Sequence, residues 1–283
     1  SGAGKSQLFH AVLGLQAKNA NLTGSARFQG RELLNVSNKV LNTVRGTAIN
    51  IIFQDPMTAL NPYLKIGKQL SEVLQVHERL NQQEARKRSI NALAEVKIPK
   101  PEKCYNQYPH ELSGGMRQRV MIAMALLTNP KLIIADEPTT ALDVGVQTEI
   151  ITLLKKAHNQ NNTSIVLITH DVPLVAGLCD RLVVMYAGKI VETGKLDEIH
   201  NHALHPYTRA LINATPNYSL QINSTGKLDT IAGNPPSPNE VIKGCAFAPR
   251  CELADKRCEN ESPELESINK TQSVACFHMS ESQ

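Results

Sequence analysis

The apolar run Leu132-Ile133-Ile134-Ala135 closes on two adjacent carboxylates, Asp136 and Glu137. A buried strand ending in paired acids suits a divalent cation and a water. Asp136 can hold Mg²⁺ through water, and Glu137, one residue on, can polarise an attacking water as a general base. As a simple capping pair at a strand end, the two acids would have no cation to offset them. Upstream, Ser1-Gly2-Ala3-Gly4-Lys5-Ser6 is a glycine-rich turn running into a helix. Its backbone N–H groups and the helix N-terminus can wrap a triphosphate. Lys5 would bridge the β- and γ-phosphates, and the Ser6 hydroxyl would coordinate Mg²⁺. Gly-Lys-Ser alone is a weak signal. With an amphipathic helix behind it and the acid pair downstream, it is a specific one. Ser113-Gly114-Gly115, a turn opening another helix, is a second phosphate-binding surface. A nucleotide held by the first cradle needs only one such loop there, so the spare loop suggests two subunits sharing each nucleotide.

Two further polar residues end strands. Gln54 follows Ala48–Phe53 and can sense Mg²⁺ and water. His170 follows Ser164–Thr169, beside the end of the Asp136 strand. A lone histidine is usually structural, but Thr169-His170-Asp171 at a strand end favours a catalytic switch. Four cysteines cluster late in the chain, as Cys245-x5-Cys251-x6-Cys258-x17-Cys276. Four thiolates suit zinc or an iron–sulfur cluster, although the short paired spacings preferred by zinc are missing, and four free thiols are a third reading. A cytosolic chain would not usually hold them as disulfides. Cys104 and Cys179 read as packing residues.

The elements that must position these groups alternate. Helical periodicity covers Lys5–Leu15, and strands are expected at Ser25–Gln29 and Ala48–Phe53. Ile66, Leu70, Val73 and Leu74 share a helix face. A second helix follows Asn81, an N-cap, with Ala85, Ile90, Leu93 and Ala94 inward. Pro99 and Pro101 end that stretch. Gly115–Leu127 is a third helix, Lys131–Ala135 a strand, Val146–His158 a helix, and Ser164–Thr169 and Arg181–Tyr186 strands. Strands alternating with helices predict an α/β core with a mainly parallel sheet. Residues 1–60 and 128–200 form that core, and 61–127 an inserted helical subdomain. Residues 201–283 are a loop-rich, cysteine-containing extension marked by Pro206, Pro216, Pro235, Pro236, Pro238, Pro249 and Pro263.

Composition narrows the function classes. The 283 residues are 41% hydrophobic and 20% charged, ordinary for a globular protein. No apolar run approaches the ~18 residues of a bilayer span. The net charge is +4, the basic residues are scattered, aromatics are 4% and Trp is absent, so a nucleic-acid groove is not expected. Phosphate cradles of this kind read Gly-x-x-x-x-Gly-Lys-Ser/Thr. Gly4 is the second glycine, which places the first two positions before Ser1 and predicts that the chain is a fragment.

The ordered motifs resemble the ATP-binding cassette family, a P-loop NTPase fold with a helical insertion. Gln54 matches its glutamine loop and Ser113-Gly114-Gly115 its signature loop. Ala141-Leu142-Asp143 matches the loop that crosses the dimer seam, and His170 the switch histidine. Phe53-Gln54-Asp55-Pro56-Met57-Thr58-Ala59-Leu60-Asn61-Pro62, the run Met116 to Ala125, His205-Pro206-Tyr207-Thr208 and Gly233-Asn234-Pro235-Pro236-Ser237-Pro238 are similar to the family's peptide-importer branch. Met116 stands where many members have Gln, a variation that branch shares.

The resemblance covers essentially the whole chain. It implies a head-to-tail dimer in which ATP on the Ser1–Ser6 cradle of one subunit is capped by Ser113, Gly114 and Gly115 of a second, identical or homologous ATPase subunit, with Asp143 at the seam. It implies Mg²⁺ held through Ser6, Gln54 and Asp136, and catalysis by Glu137, His170 and Gln54. It also implies two membrane-spanning permease subunits, an extracytoplasmic peptide-binding protein acting indirectly, and a peripheral place on the cytoplasmic face of the inner membrane. Members of the branch carry a [4Fe–4S] cluster in a tail of this kind, which would fall on Cys245, Cys251, Cys258 and Cys276. Import of dipeptides or other small solutes is a neighbouring possibility. A soluble cassette ATPase acting on ribosomes or DNA is the rival class; it usually needs tandem cassettes or a long coiled coil, and this chain has one cassette and no heptads.

Overall fold

A computed structural model of the chain describes residues 2–140, 142–214, 231–237 and 239–279. The expected site residue Ser1, Ala141 beside Asp143, and Pro216 and Pro238 of the tail lie outside the described residues. The chain divides into two compact units. One is Ser6–Thr169; the other combines the residues through Lys5 with those from His170 onward.

In the first unit, α1 (Lys5–Val12) is followed by a hairpin of β1 (Arg27–Phe28) and β2 (Arg31–Glu32) and by α2 (Asn38–Leu41). Then come β3 (Ile49–Ile52), α3 (Pro56–Ala59), α4 (Ile66–Glu78), α5 (Gln82–Glu95), α6 (Pro101–Tyr105), α7 (Gly114–Leu126), β4 (Leu132–Asp136), α8 (Val144–Asn161) and β5 (Ser164–Ile168). β3, β4 and β5 form the expected parallel sheet, with Ile52 opposite Ala135 and Asp136 opposite Ile168. Leu13, Leu41, Val44, Ile49, Ile134 and Ile168 share one core cluster. Apolar residues along the strands meet side chains on both faces, as the continuous apolar run anticipates.

Sequence and structure differ locally. The strand expected at Ser25–Gln29 shrinks to two residues and gains the partner β2, too short to leave a periodic signature. Four helices, not three, lie between Asn61 and Leu127, because Pro101 begins α6 instead of closing the helical stretch. Proline is as well suited to the first helical position, where its missing N–H costs nothing, as to the position after a helix. Ala94 faces solvent, and the buried stripe of α5 is Ala85, Ser89 and Leu93. Ser89 satisfies its hydroxyl on Ala85 O at 2.7 Å. Asn81 caps α5 as expected, its Oδ1 accepting from Glu84 N at 3.0 Å. Asn50, inside the apolar β3, is buried because its Nδ2 donates to Ala125 O at 2.6 Å and Thr128 Oγ1 at 3.1 Å, joining the strand to the end of α7.

The second unit contains α9 (Val172–Ala176), β6 (Arg181–Tyr186), β7 (Lys189–Lys195), α10 (Leu196–Asn201), α11 (Pro206–Asn213), α12 (Lys256–Asn260), β8 (Glu266–Ser267) and β9 (Ser273–Val274). β6 does not extend the parallel sheet. It belongs to an antiparallel sheet of order β6-β7-β9-β8. Ala187 and Gly188, at φ +44° and +81°, turn β6 directly into β7, the left-handed pair that a two-residue hairpin requires. Tyr186, Tyr207 and Phe247 pack ring against ring. Glu192 of β7 is fully buried. Its carboxylate accepts from Leu204 N at 2.9 Å, His205 N at 3.1 Å and Gln272 Nε2 at 3.0 Å.

Candidate functional site

Gly2 and Gly4 adopt φ +93° and +82° immediately before α1. A Cβ on Gly2 would meet nothing within 4 Å, so its requirement is backbone conformation, not space. Ala3 O accepts the Gly188 N–H at 3.2 Å, which fixes the turn against the β6–β7 hairpin. Lys5 then opens the helix.

Within the Ser6–Thr169 unit, residues far apart in sequence converge. Ser6 Oγ donates to Asp136 Oδ1 at 2.8 Å, linking the start of α1 to the last residue of β4. Asp136 is 3% exposed. A nearly buried carboxylate beside a neutral hydroxyl is a hard oxygen donor set that fits Mg²⁺. Glu137 follows at φ +45°, a left-handed conformation uncommon for a side-chain-bearing residue. Its N–H donates to Ile168 O at 2.8 Å, so the β4–β5 ladder holds the bend. That bend directs the Glu137 carboxylate to Gln54 Nε2 at 2.9 Å and Thr140 Oγ1 at 3.0 Å. Three of the expected groups, Gln54, Asp136 and Glu137, therefore stand at the ends of neighbouring parallel strands, with Ser6 hydrogen-bonded to the central one. Thr140 was not expected; its signal is a hydroxyl residue three positions after the acid at a strand end. His170 stands two residues beyond Ile168, the register partner of Asp136.

The turn Ser113-Gly114-Gly115, expected to be a second phosphate surface, is exposed at the start of α7. Ser113 caps α7, its Oγ accepting from Met116 N at 3.3 Å. Ser113 and Gly114 are exposed, and a Cβ on Gly114 would meet nothing within 4 Å. The body of α7 is buried through Gln118, Val120, Met121, Ile122, Ala123 and Ala125, which fixes the exposed end. Asp143, also exposed, caps α8 by accepting from Val146 N at 3.0 Å. Ser113 and Asp143 hydrogen-bond only into their own helices among the described residues.

Cys245, Cys251, Cys258 and Cys276 line one small cavity. Burial pushes the Cys276 thiol up, and Cys251, Cys245 and Cys258 push it further. The four thiols thus share one partly buried pocket. Burial is likewise the main cause raising Cys251 and Cys258. Beside the same cavity, His278 Nε2 lies 3.3 Å from Asp255 Oδ2. Asp255, Cys258 and His278 bring their ligand atoms within 4.8 Å of one another. Sequence spacing alone did not draw Asp255 or His278 into the group. Cys104 is buried among helices, where desolvation lifts it to about 11, as suits a packing thiol.

A family model described as "ABC transporter" matches residues 1–140, and one described as "Oligopeptide/dipeptide transporter, C-terminal region" matches residues 191–258. The oligopeptide transport ATP-binding protein OppD of Salmonella typhimurium is 51% identical over 98% of this chain and 82% of its own length. The protein of the same name from Escherichia coli is 49% identical over 98% of this chain and 81% of its own. In three dimensions the chain resembles the dimeric ATP-binding cassette MJ0796 in a post-hydrolysis state bound to ADP and Pi. The TM-score is 0.61 and the identity 28%, covering 69% of this chain and 81% of the other. With relatives about 50% identical over nearly the whole chain and a cassette-like fold, this chain belongs to the ATP-binding cassette family of transporter ATPases.

Proposed function

We propose that this chain is the ATP-hydrolysing subunit of a bacterial importer that takes up oligopeptides. The ATPase part of this reading rests on the junction of Ser6 with Asp136 and of Gln54 with Glu137, at the ends of the neighbouring strands β3 and β4, and the oligopeptide part on the 51% identity to OppD of Salmonella typhimurium. Mg²⁺ bound there would neutralise phosphate charge. Gly2, Ala3, Gly4 and Lys5 cradle the phosphates. Ser6, Asp136 and Gln54 would supply oxygens to hold that cation. Glu137, already oriented by Gln54 and Thr140, accepts the proton of the attacking water. His170, just beyond β5, serves as the switch that stabilises the reacting phosphate.

The exposed α7 N-terminus supports a shared site. Ser113, Gly114 and Gly115 cap the nucleotide of a second ATPase subunit, identical or homologous, with Asp143 at the seam of a head-to-tail dimer. The dimer works on two membrane-spanning permease subunits fed by an extracytoplasmic peptide-binding protein. No helix among the described residues is long and apolar enough to cross a membrane, and we place the chain peripherally on the cytoplasmic face of the inner membrane. Residues 1–60 and 128–200 act as the α/β core, 61–127 as the helical signature subdomain, and 201–283 as the extension. A [4Fe–4S] cluster on Cys245, Cys251, Cys258 and Cys276 would give that extension a structural cross-link or docking surface, since ATP hydrolysis needs no electron carrier.

The test is reconstitution with the permease subunits in vesicles. Peptide uptake should require ATP and vanish with Lys5→Ala. Robust ATP hydrolysis with no peptide movement, and transport of another solute instead, would refute the importer assignment. Iron and acid-labile sulfide on the anaerobically purified protein test the cluster. Cys251→Ser should lose both, and stoichiometric zinc without iron would refute it.

A further inference from the structure

Asp255 divides its carboxylate between two tasks. Oδ1 accepts the Cys258 N–H at 2.8 Å and caps α12, while Oδ2 faces His278 Nε2 at 3.3 Å. Cys258 is itself buried, and its Sγ completes a three-ligand group within 4.8 Å. In a tetrahedral zinc site, nitrogen and oxygen ligands at about 2.0–2.1 Å from the metal are separated by roughly 3.4 Å along the tetrahedron's edge. The Asp255–His278 separation is already close to that value. Sulfur, imidazole and carboxylate form a donor set suited to a borderline-soft divalent ion. His278 N donates to Cys276 Sγ at 3.4 Å, which restrains the segment carrying the imidazole.

We infer that Asp255, Cys258 and His278 form a mononuclear binding site for a zinc-type divalent cation, one that overlaps the set of four cysteines at Cys258 alone. Binding displaces the Cys258 thiol proton to solvent and converts its sulfur to a thiolate ligand. A fourth position stays open to water, and the exposed Asp255 side gives the ion a path in. The two sets share Cys258, so one chain cannot fill both. The tail takes either a four-thiolate cluster or a divalent ion on this mixed set. The inference concerns the chain without the cluster, and it is separable from the cluster reading because Cys245, Cys251 and Cys276 belong to one set only and Asp255 and His278 to the other.

Co²⁺ titrated anaerobically into the iron-free full chain provides the test. One Co²⁺ per chain should bind, with tetrahedral d–d absorption and a thiolate-to-metal charge-transfer band. Cys258→Ser should abolish the charge-transfer band, and His278→Ala should weaken binding by about 100-fold or more, beyond what loss of an outer-shell partner costs. Cys245→Ser and Cys251→Ser should retain the Co²⁺ signature while losing iron from the cluster-loaded protein, and His278→Ala should retain the iron. Loss of Co²⁺ binding in Cys245→Ser as complete as in Cys258→Ser would overturn the inference, because the metal would then belong to the four thiols. An octahedral spectrum insensitive to Cys258→Ser, or no binding by a folded wild-type chain, would overturn it too. Far-UV circular dichroism separates ligand loss from unfolding in each variant.

Discussion

Glu137→Gln separates chemistry from architecture. The amide has nearly the size of the carboxylate, and its oxygen can still accept from Gln54 Nε2 and Thr140 Oγ1, now at 2.9 and 3.0 Å. Those bonds drop from a charge-assisted range of about 1.5–3 kcal/mol to about 1 kcal/mol each. Glu137 is 8% exposed, and relief of a buried charge offsets part of that loss. The expected net change in folding stability is under about 2 kcal/mol, a melting shift of several degrees at most. The transition state, by contrast, loses its proton acceptor. General-base assistance is worth ~10²–10⁴-fold, or about 2.7–5.5 kcal/mol at 1.36 kcal/mol per decade. Phosphate release by the assembled transporter should therefore fall by at least about 100-fold, while ATP affinity and melting stay near wild type. Turnover within tenfold of wild type, from a variant with native melting, would refute the assignment of Glu137 as the base.

Ser113→Arg fills the open space in front of α7. It should leave ATP binding by the isolated subunit intact and block hydrolysis by the assembled complex; ATP affinity falling as far as in Lys5→Ala, measured by calorimetry, would refute a shared site. Asn50→Leu leaves Ala125 O without its side-chain donor in a buried setting, so urea denaturation should show a loss of about 1–3 kcal/mol, and an unchanged midpoint would refute that anchor. Glu32 accepts the Ser25 hydroxyl and the N–H groups of Leu34, Ala26 and Leu33, which lower it to about 2. Because its folded value lies below the unfolded one, its contribution is present above pH 4.5 and is lost as pH falls toward 2. An NMR midpoint near 4.5 would refute the hydrogen-bond account.

The candidate site was legible because its polar residues interrupt strongly patterned segments. Gln54, Asp136 and His170 each follow a short apolar run bounded by a turn signal, which marks a strand end. Ser113 and Asn81 announced themselves as caps by residue type. What spacing could not convey was pairing. Ser6 and Asp136 are 130 positions apart, and their contact follows only once β4 is set beside the cradle helix. The β6-β7-β9-β8 sheet was hidden for a different reason. β8 and β9 have two residues each, and their partners are chosen by buried anchors such as Glu192, which no local pattern marks. Pro101 illustrates a true degeneracy, because the same ring restriction both starts and stops helices.

Glu192 also bears on the modularity of the chain. Its carboxylate lies on a strand of the β6–β7 hairpin, and all three of its side-chain donors lie later in the chain, at Leu204, His205 and Gln272. A chain cut before those donors would strip the carboxylate of all three partners and open to water the place where it is now buried. The hairpin and the distal segments therefore constrain one another's evolution. A lineage that shed the segment would turn Glu192 into a solvated surface acid, and a lineage that keeps it buried is held to a tail that returns to it.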